Sequence, residues 1–138
     1  MTAGPGSKRF DPGNYVPVGD LLALHRVRDP GKPALVDLDR GVTLSFGVLA
    51  GLVDSVALQM WGRGVCKGSR VLLHMDNSIE KLVVWFALWR IGAVVCPLDH
   101  EWQAYYKETI SLMAAERFRV IWIEDDFRYH NHEPLDWG

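Results

Sequence analysis

Cysteine is scarce in this sequence of 138 residues, which holds only Cys66 and Cys96. Two isolated thiols supply neither a disulfide framework nor the paired spacing of a zinc site, and they suit a reducing cytoplasm. Runs of one charge are missing too: the longest cationic stretch is Lys8-Arg9, and the net charge is −2. A nucleic-acid footprint needs clustered cations to displace phosphate counterions, so no nucleic-acid partner is expected. The longest unbroken apolar run, Leu82 to Trp89, falls far short of the roughly 20 residues a membrane helix needs. No charged-then-apolar leader opens the chain, so export is not expected. What is present is the balance of a globular protein, 49% hydrophobic and 23% charged residues, in a length that suits one domain.

Residues 1–18 carry prolines and glycines but no apolar period, and read as an extended, poorly ordered lead-in. A short helix is expected next, capped by Asp20 and stopped by Pro30. Residues 34–38 and 42–44 read as a hairpin around Asp39-Arg40-Gly41. Ser45 is placed to cap a helix to about Arg63, whose Phe46, Leu49, Val53, Val56 and Met60 recur at three- and four-residue steps. Thereafter strand and helix alternate. Strands are expected at 71–73, 93–96 and 120–123. Between them fall a helix opened by an Asn77/Glu80 capping box and running to Ile91, and another over 104–116. The near-continuous apolar strands imply a parallel sheet covered on both faces, built from two βαβ units wound in one direction. The fold class is therefore α/β: a small three-layer domain over residues 19–124 with a β-hairpin and a short, mainly parallel sheet flanked by helices, and an irregular tail over 125–138.

Candidate chemistry is thin. Gly62-Arg63-Gly64 with Gly68 leaves a helix and enters a strand, the reverse of a dinucleotide loop. Lys67-Gly68-Ser69 has the Walker residues in the wrong order, and no Gly-x-Ser-x-Gly elbow occurs. Strand ends carry His74-Met75-Asp76-Asn77, Asp99-His100-Glu101 and Glu124-Asp125-Asp126. His74 and His100 beside carboxylates have the makings of an acid–base pair for a small independent enzyme. Helix capping and solvated loops account for the same residues without chemistry, and nothing in the spacing selects a metal or a reaction. His130-Asn131-His132 in the tail carries no clearer signal. No catalytic residue and no metal ligand is assigned.

The helix from Asn77 to Ile91 is more informative. Its eight consecutive apolar residues grease both sides of two turns, whereas a surface helix needs one apolar stripe. Leu82, Trp85, Phe86 and Trp89 are accordingly assigned as an interface for another chain or domain.

Several segments together resemble a known family. Leu44-Ser45-Phe46-Gly47-Val48-Leu49 resembles the first core motif of the adenylate-forming superfamily, the acyl-CoA synthetases and nonribosomal-peptide adenylation domains. Leu88-Trp89-Arg90-Ile91-Gly92-Ala93-Val94-Val95-Cys96-Pro97-Leu98-Asp99 resembles the second. Gly68-Ser69-Arg70-Val71, Asn77-Ser78 and Asp29-Pro30-Gly31-Lys32-Pro33-Ala34-Leu35 are similar to segments the family writes around them. Val48 stands where the family usually has Glu, and Asp76 where it has Pro. The resemblance implies the N-terminal subdomain of such an enzyme, without the Ser/Thr/Gly-rich phosphate loop and its lysine, the acyl pocket or the mobile C-terminal domain.

The resemblance further implies ATP, Mg and CoA as cofactors of a complete relative and none for this chain alone. It makes Pro97, Leu98, Asp99 and His100 a CoA-side loop. The expected function is thus an N-terminal fragment or split subunit of an acyl-CoA synthetase-like ligase, inactive alone. Its expected partner is a second copy, or a protein that supplies the missing portion. The alternative is a stand-alone dimerisation or partner-binding module built on the same half-fold.

Overall fold

The computed structural model describes Gly13, residues 15–98 and the backbone of 120–124. A 3₁₀ turn, Val18–Asp20, leads into α1, Leu21–Arg28. Asp20 stands at the N-cap but its side chain makes no cap bond; its carboxylate binds Arg90 Nη1 at 2.6 Å instead. A charged partner across the fold has outbid the local cap.

Strands β1 (Pro33–Asp37) and β2 (Val42–Ser45) pair antiparallel, with Leu35 opposite Leu44. The Arg40 N–H donates to Asp37 Oδ1 at 3.0 Å and tightens the turn between them. These two strands form a sheet of their own. Ser45 then caps α2, Phe46–Gly62, its Oγ accepting from the Val48 N–H. The missing glutamate at position 48 removes only the return half of a capping box. Leu49, Val53, Val56 and Met60 of the expected face are buried, and Phe46 packs on them partly exposed.

The second sheet is wholly parallel, in the order β4-β3-β5, with β3 at Arg70–His74, β4 at Val94–Pro97 and β5 at Val120–Glu124. Parallel pairing agrees with the apolar runs. The step from β3 to β4 goes one way, and the step to β5 returns past β3 to its other side. Strand order depends on which flank of β3 each neighbour takes, and local patterning carries no trace of that.

Between β3 and β4 runs α3, Ile79–Ile91. Its N-cap is Ser78 rather than Asn77: Ser78 Oγ accepts from the Lys81 N–H at 3.1 Å, while Asn77 Oδ1 accepts from Lys81 Nζ at 3.2 Å. The expected capping partner, Glu80, is engaged by Arg40. At the other end Gly92 takes φ +85°, a left-handed conformation that glycine adopts without a Cβ penalty. Ala93 N–H then donates to Leu88 C=O at 2.9 Å and Gly92 N–H to Trp89 C=O at 3.1 Å. This Schellman arrangement satisfies the last carbonyls and turns the chain into β4.

The core lies where α2 packs on α3 and α3 on β3 and β4. Val71, Leu73 and Met75 join Val83, Val84, Ala87, Leu88 and the α2 face in one cluster. Leu72 and His74 are buried but, by the two-residue alternation of a strand, look to the other side of the sheet. The expected helix over 104–116, most of the lead-in and the 125–138 tail lie outside the described residues.

Candidate functional site

The carboxyl ends of parallel strands are where such sheets gather ligands. β3 ends at His74, in register with Glu124 of β5, while Leu73 is in register with Pro97 of β4. The Leu98 N–H donates to Leu73 C=O at 3.0 Å, so the exit from β4 is tied to the middle strand. Of the expected CoA-side loop, Pro97 is exposed and Leu98 half-buried. Asp99 and His100 lie outside the described residues, so the pairing of His74 with His100 does too. Among the described residues no group of three or more His, Cys, Asp or Glu side chains is placed to hold a metal.

The assigned interface residues do share one face. Val83, Val84, Ala87 and Leu88 fill the core side of α3. Leu82, Trp85, Phe86 and Trp89 follow a three- and four-residue step along the opposite side. Leu82 is 39% exposed and the three aromatics are half-buried. Trp89 stands edge-to-face with Trp85 at 5.8 Å and with Phe86 at 5.6 Å, arrangements that ring quadrupoles favour. The Trp85 Nε1 is buried with no hydrogen-bond partner among the described residues.

Sequence reasoning gave no hint of a groove between the hairpin and the helices. Val42, Leu44, Leu52, Ile79 and Val83 line a hollow of about 260 Å³, with Arg40 and Glu80 at its lip. Arg40 Nη1 donates to Glu80 Oε1 at 2.7 Å. Partial burial pushes the Glu80 carboxyl upward, but the Arg40 hydrogen bond, a backbone bond and the Arg40 charge together outweigh it and hold the carboxyl below the usual range. The same hydrogen bond, with the Glu80 charge behind it, raises the Arg40 guanidinium. Forty positions separate the pair, and no short-range pattern signals it.

Comparison with known proteins decides the family. The profile of "AMP-binding enzyme" matches residues 23–123, well over half of the chain. The chain belongs to the AMP-binding enzyme family. It is 36% identical over 81 residues to 4-coumarate–CoA ligase 5 of Oryza sativa subsp. japonica, covering 59% of this chain and 15% of that protein. It is 28% identical over 102 residues to the 4-chlorobenzoate–CoA ligase of an Arthrobacter species, covering 74% of this chain and 19% of that ligase. Among solved structures it resembles the N-terminal subdomain of Klebsiella oxytoca NpsA in complex with 3-hydroxyanthranilyl-AMSN. There the TM-score is 0.67 at 25% identity, over 79% of this chain and 27% of that one. The chain therefore spans less than a fifth of the length of these two curated relatives.

Within this member of the AMP-binding family, the segments that resemble the family's motifs build regular elements. Leu44–Leu49 makes the junction from β2 into the capped start of α2, and Leu88–Leu98 makes the end of α3, its glycine stop and β4. No helix among the described residues is long and apolar enough to cross a membrane.

Proposed function

We propose that this chain is the N-terminal part of an adenylate-forming acyl-CoA ligase-like protein, a fragment of a longer enzyme or one subunit of a split one, and that it does not adenylate by itself. The carrying observation is the match over residues 23–123 by segments whose work is capping, packing and strand pairing. Activating a carboxylate with ATP requires donors and cations aimed at the transferring phosphorus. The stretch in which glycines and a lysine do occur together, residues 62–69, leaves helix α2 and enters strand β3, the reverse of a phosphate loop's context. No step on ATP or magnesium is assigned to this chain.

Pro97, Leu98, Asp99 and His100 are our proposed CoA-side loop in a complete enzyme. The two described members offer an uncharged lip, which suits the pantetheine arm of CoA better than its phosphates. Two free thiols, Cys66 and Cys96, support a cytoplasmic setting.

The test is ATP–pyrophosphate exchange with a panel of aromatic and aliphatic carboxylates. The chain alone is expected to give none, and exchange is expected when a protein carrying the phosphate loop and C-terminal domain is added. Exchange by the chain alone overturns the reading, and silence after addition of a cognate remainder overturns the split-subunit form. A second reading, a partner-binding module without ligase activity, draws on the Leu82–Trp89 stripe of α3. It predicts that a bound protein protects Trp85 and Trp89 from quenchers while no carboxylate supports exchange.

A further inference from the structure

On α2, Leu58 and Trp61 lie one turn apart and are 67% and 65% exposed. With Ala57 and Ile91 they form the apolar part of a groove of about 380 Å³ between α2 and α3, whose remaining lining is Asp54 and Arg90. Those two are the centre of a longer charged row. Arg26 Nη1 lies 3.5 Å from Asp54 Oδ2, Asp54 Oδ1 lies 3.4 Å from Arg90 Nε, and Arg90 Nη1 lies 2.6 Å from Asp20 Oδ1. The side chains are 37% to 53% exposed, so each keeps a side open to a further partner.

The order of signs along this row is plus, minus, plus, minus. A row of that kind matches its own copy turned end for end. Arg26 then meets the partner's Asp20, and Asp54 meets the partner's Arg90, with the same pairs repeated in reverse. A wholly acidic or wholly basic partner would meet a like charge at every second position, which costs as much as the other positions gain. A two-fold interface needs a patch complementary to itself. Here Trp61 is itself part of the groove's lining on that patch and is 65% exposed. We propose that Leu58, Trp61 and the Arg26–Asp54–Arg90–Asp20 row are the face on which two copies of this chain associate about a two-fold axis, Trp61 of each entering the α2–α3 groove of the other. This face meets the Leu82–Trp89 stripe at Arg90, which lies one turn beyond Phe86 on α3.

Sedimentation velocity across a concentration series of the full chain tests the proposal. A monomer–dimer equilibrium is expected, and Trp61→Ser is expected to weaken it by at least about tenfold, as loss of a central aromatic anchor does. Leu58→Asn gives a second reading at an exposed site. Far-ultraviolet circular dichroism confirms that each variant is folded. Arg26→Glu and Asp20→Arg should each weaken self-association, while an equimolar mixture of the two variants restores a dimer. Damage inside each chain is unchanged by mixing, so that restoration marks a contact between chains. A monomer at every concentration overturns the proposal. So does a dimer indifferent to Trp61→Ser and Leu58→Asn, or a mixture that stays as weak as its components. A monomer whose Trp61 is protected only by a different protein puts that protein on the face and also overturns it.

Discussion

A β-carbon on Gly19 would stand 2.5 Å from the carbonyl oxygen of Trp89 and 3.3 Å from the Cα of Arg90. Both neighbours are helix backbone and cannot swing aside. Only glycine lets the Val18–Asp20 turn lie against the end of α3, where Asp20 reaches Arg90. Gly19→Ala is therefore expected to lift that turn and to cost about 1–3 kcal/mol, the range for an overpacked contact. Urea unfolding followed by tryptophan fluorescence measures it, and an unchanged midpoint would contradict the contact.

The two helix starts can be ranked by their caps. Ser45→Ala and Ser78→Ala each remove an Oγ that accepts a backbone N–H, and each is expected to cost about 1 kcal/mol. Asn77→Ala removes only a contact with the Lys81 side chain and should cost much less. Val48→Glu places an acid in a first turn that has none and is expected to stabilise by about 0.3–1 kcal/mol. Thermal melts of the four variants check the order.

Leu88 is fully buried between α2 and the sheet. Leu88→Ala should cost about 2–5 kcal/mol through lost transfer energy and a residual cavity. Leu58→Ala, on the exposed side of α2, should stay within about 0.5 kcal/mol at concentrations where the chain is monomeric. Equilibrium denaturation in urea separates the two.

Glu80 binds fewer protons folded than unfolded at acidic pH, because its carboxyl is held low in the native state. Its contribution is present above the unfolded glutamate value and is lost as pH falls through the lower folded value. The stability gap between the natural chain and Glu80→Gln is thus expected to be open at pH 7 and to close as acid protonates the carboxylate. A gap that is constant from pH 7 to pH 3 would contradict the Arg40 contact. Added salt should narrow it at pH 7, since the pair lies at the surface.

What the sequence disclosed depended on distance along the chain. The α2 face, the Ser45 cap, the hairpin and the parallel character of β3, β4 and β5 all follow from residues within a turn or a strand of one another. The start of α3 lies one residue beyond the Asn77 cap that the Glu80 spacing favours, because Asn77 and Ser78 are both good caps and Glu80 is taken by Arg40 from the hairpin. The same long-range pair borders a groove that no local pattern announces. The Arg26–Asp54–Arg90–Asp20 row joins α1, α2, α3 and the turn before them, and becomes visible only when the helices have packed. The second apolar stripe of α3 was legible as an excess of oil, and the structure shows how it is arranged: aromatic edges against aromatic faces, with Leu82 at the open end.

The place of β3 between its two neighbours also orders the chain's own assembly. Arg70 pairs with Val94 on one flank and with Val120 on the other. The second closure encloses about twice as much chain, a difference of only ~0.6 kcal/mol in loop entropy. Timing separates them more than energy does. On a ribosome the first flank of β3 can be zipped while the residues for the second have yet to emerge. For that interval a nascent molecule carries a naked row of peptide groups, open to capture by any stray extended segment.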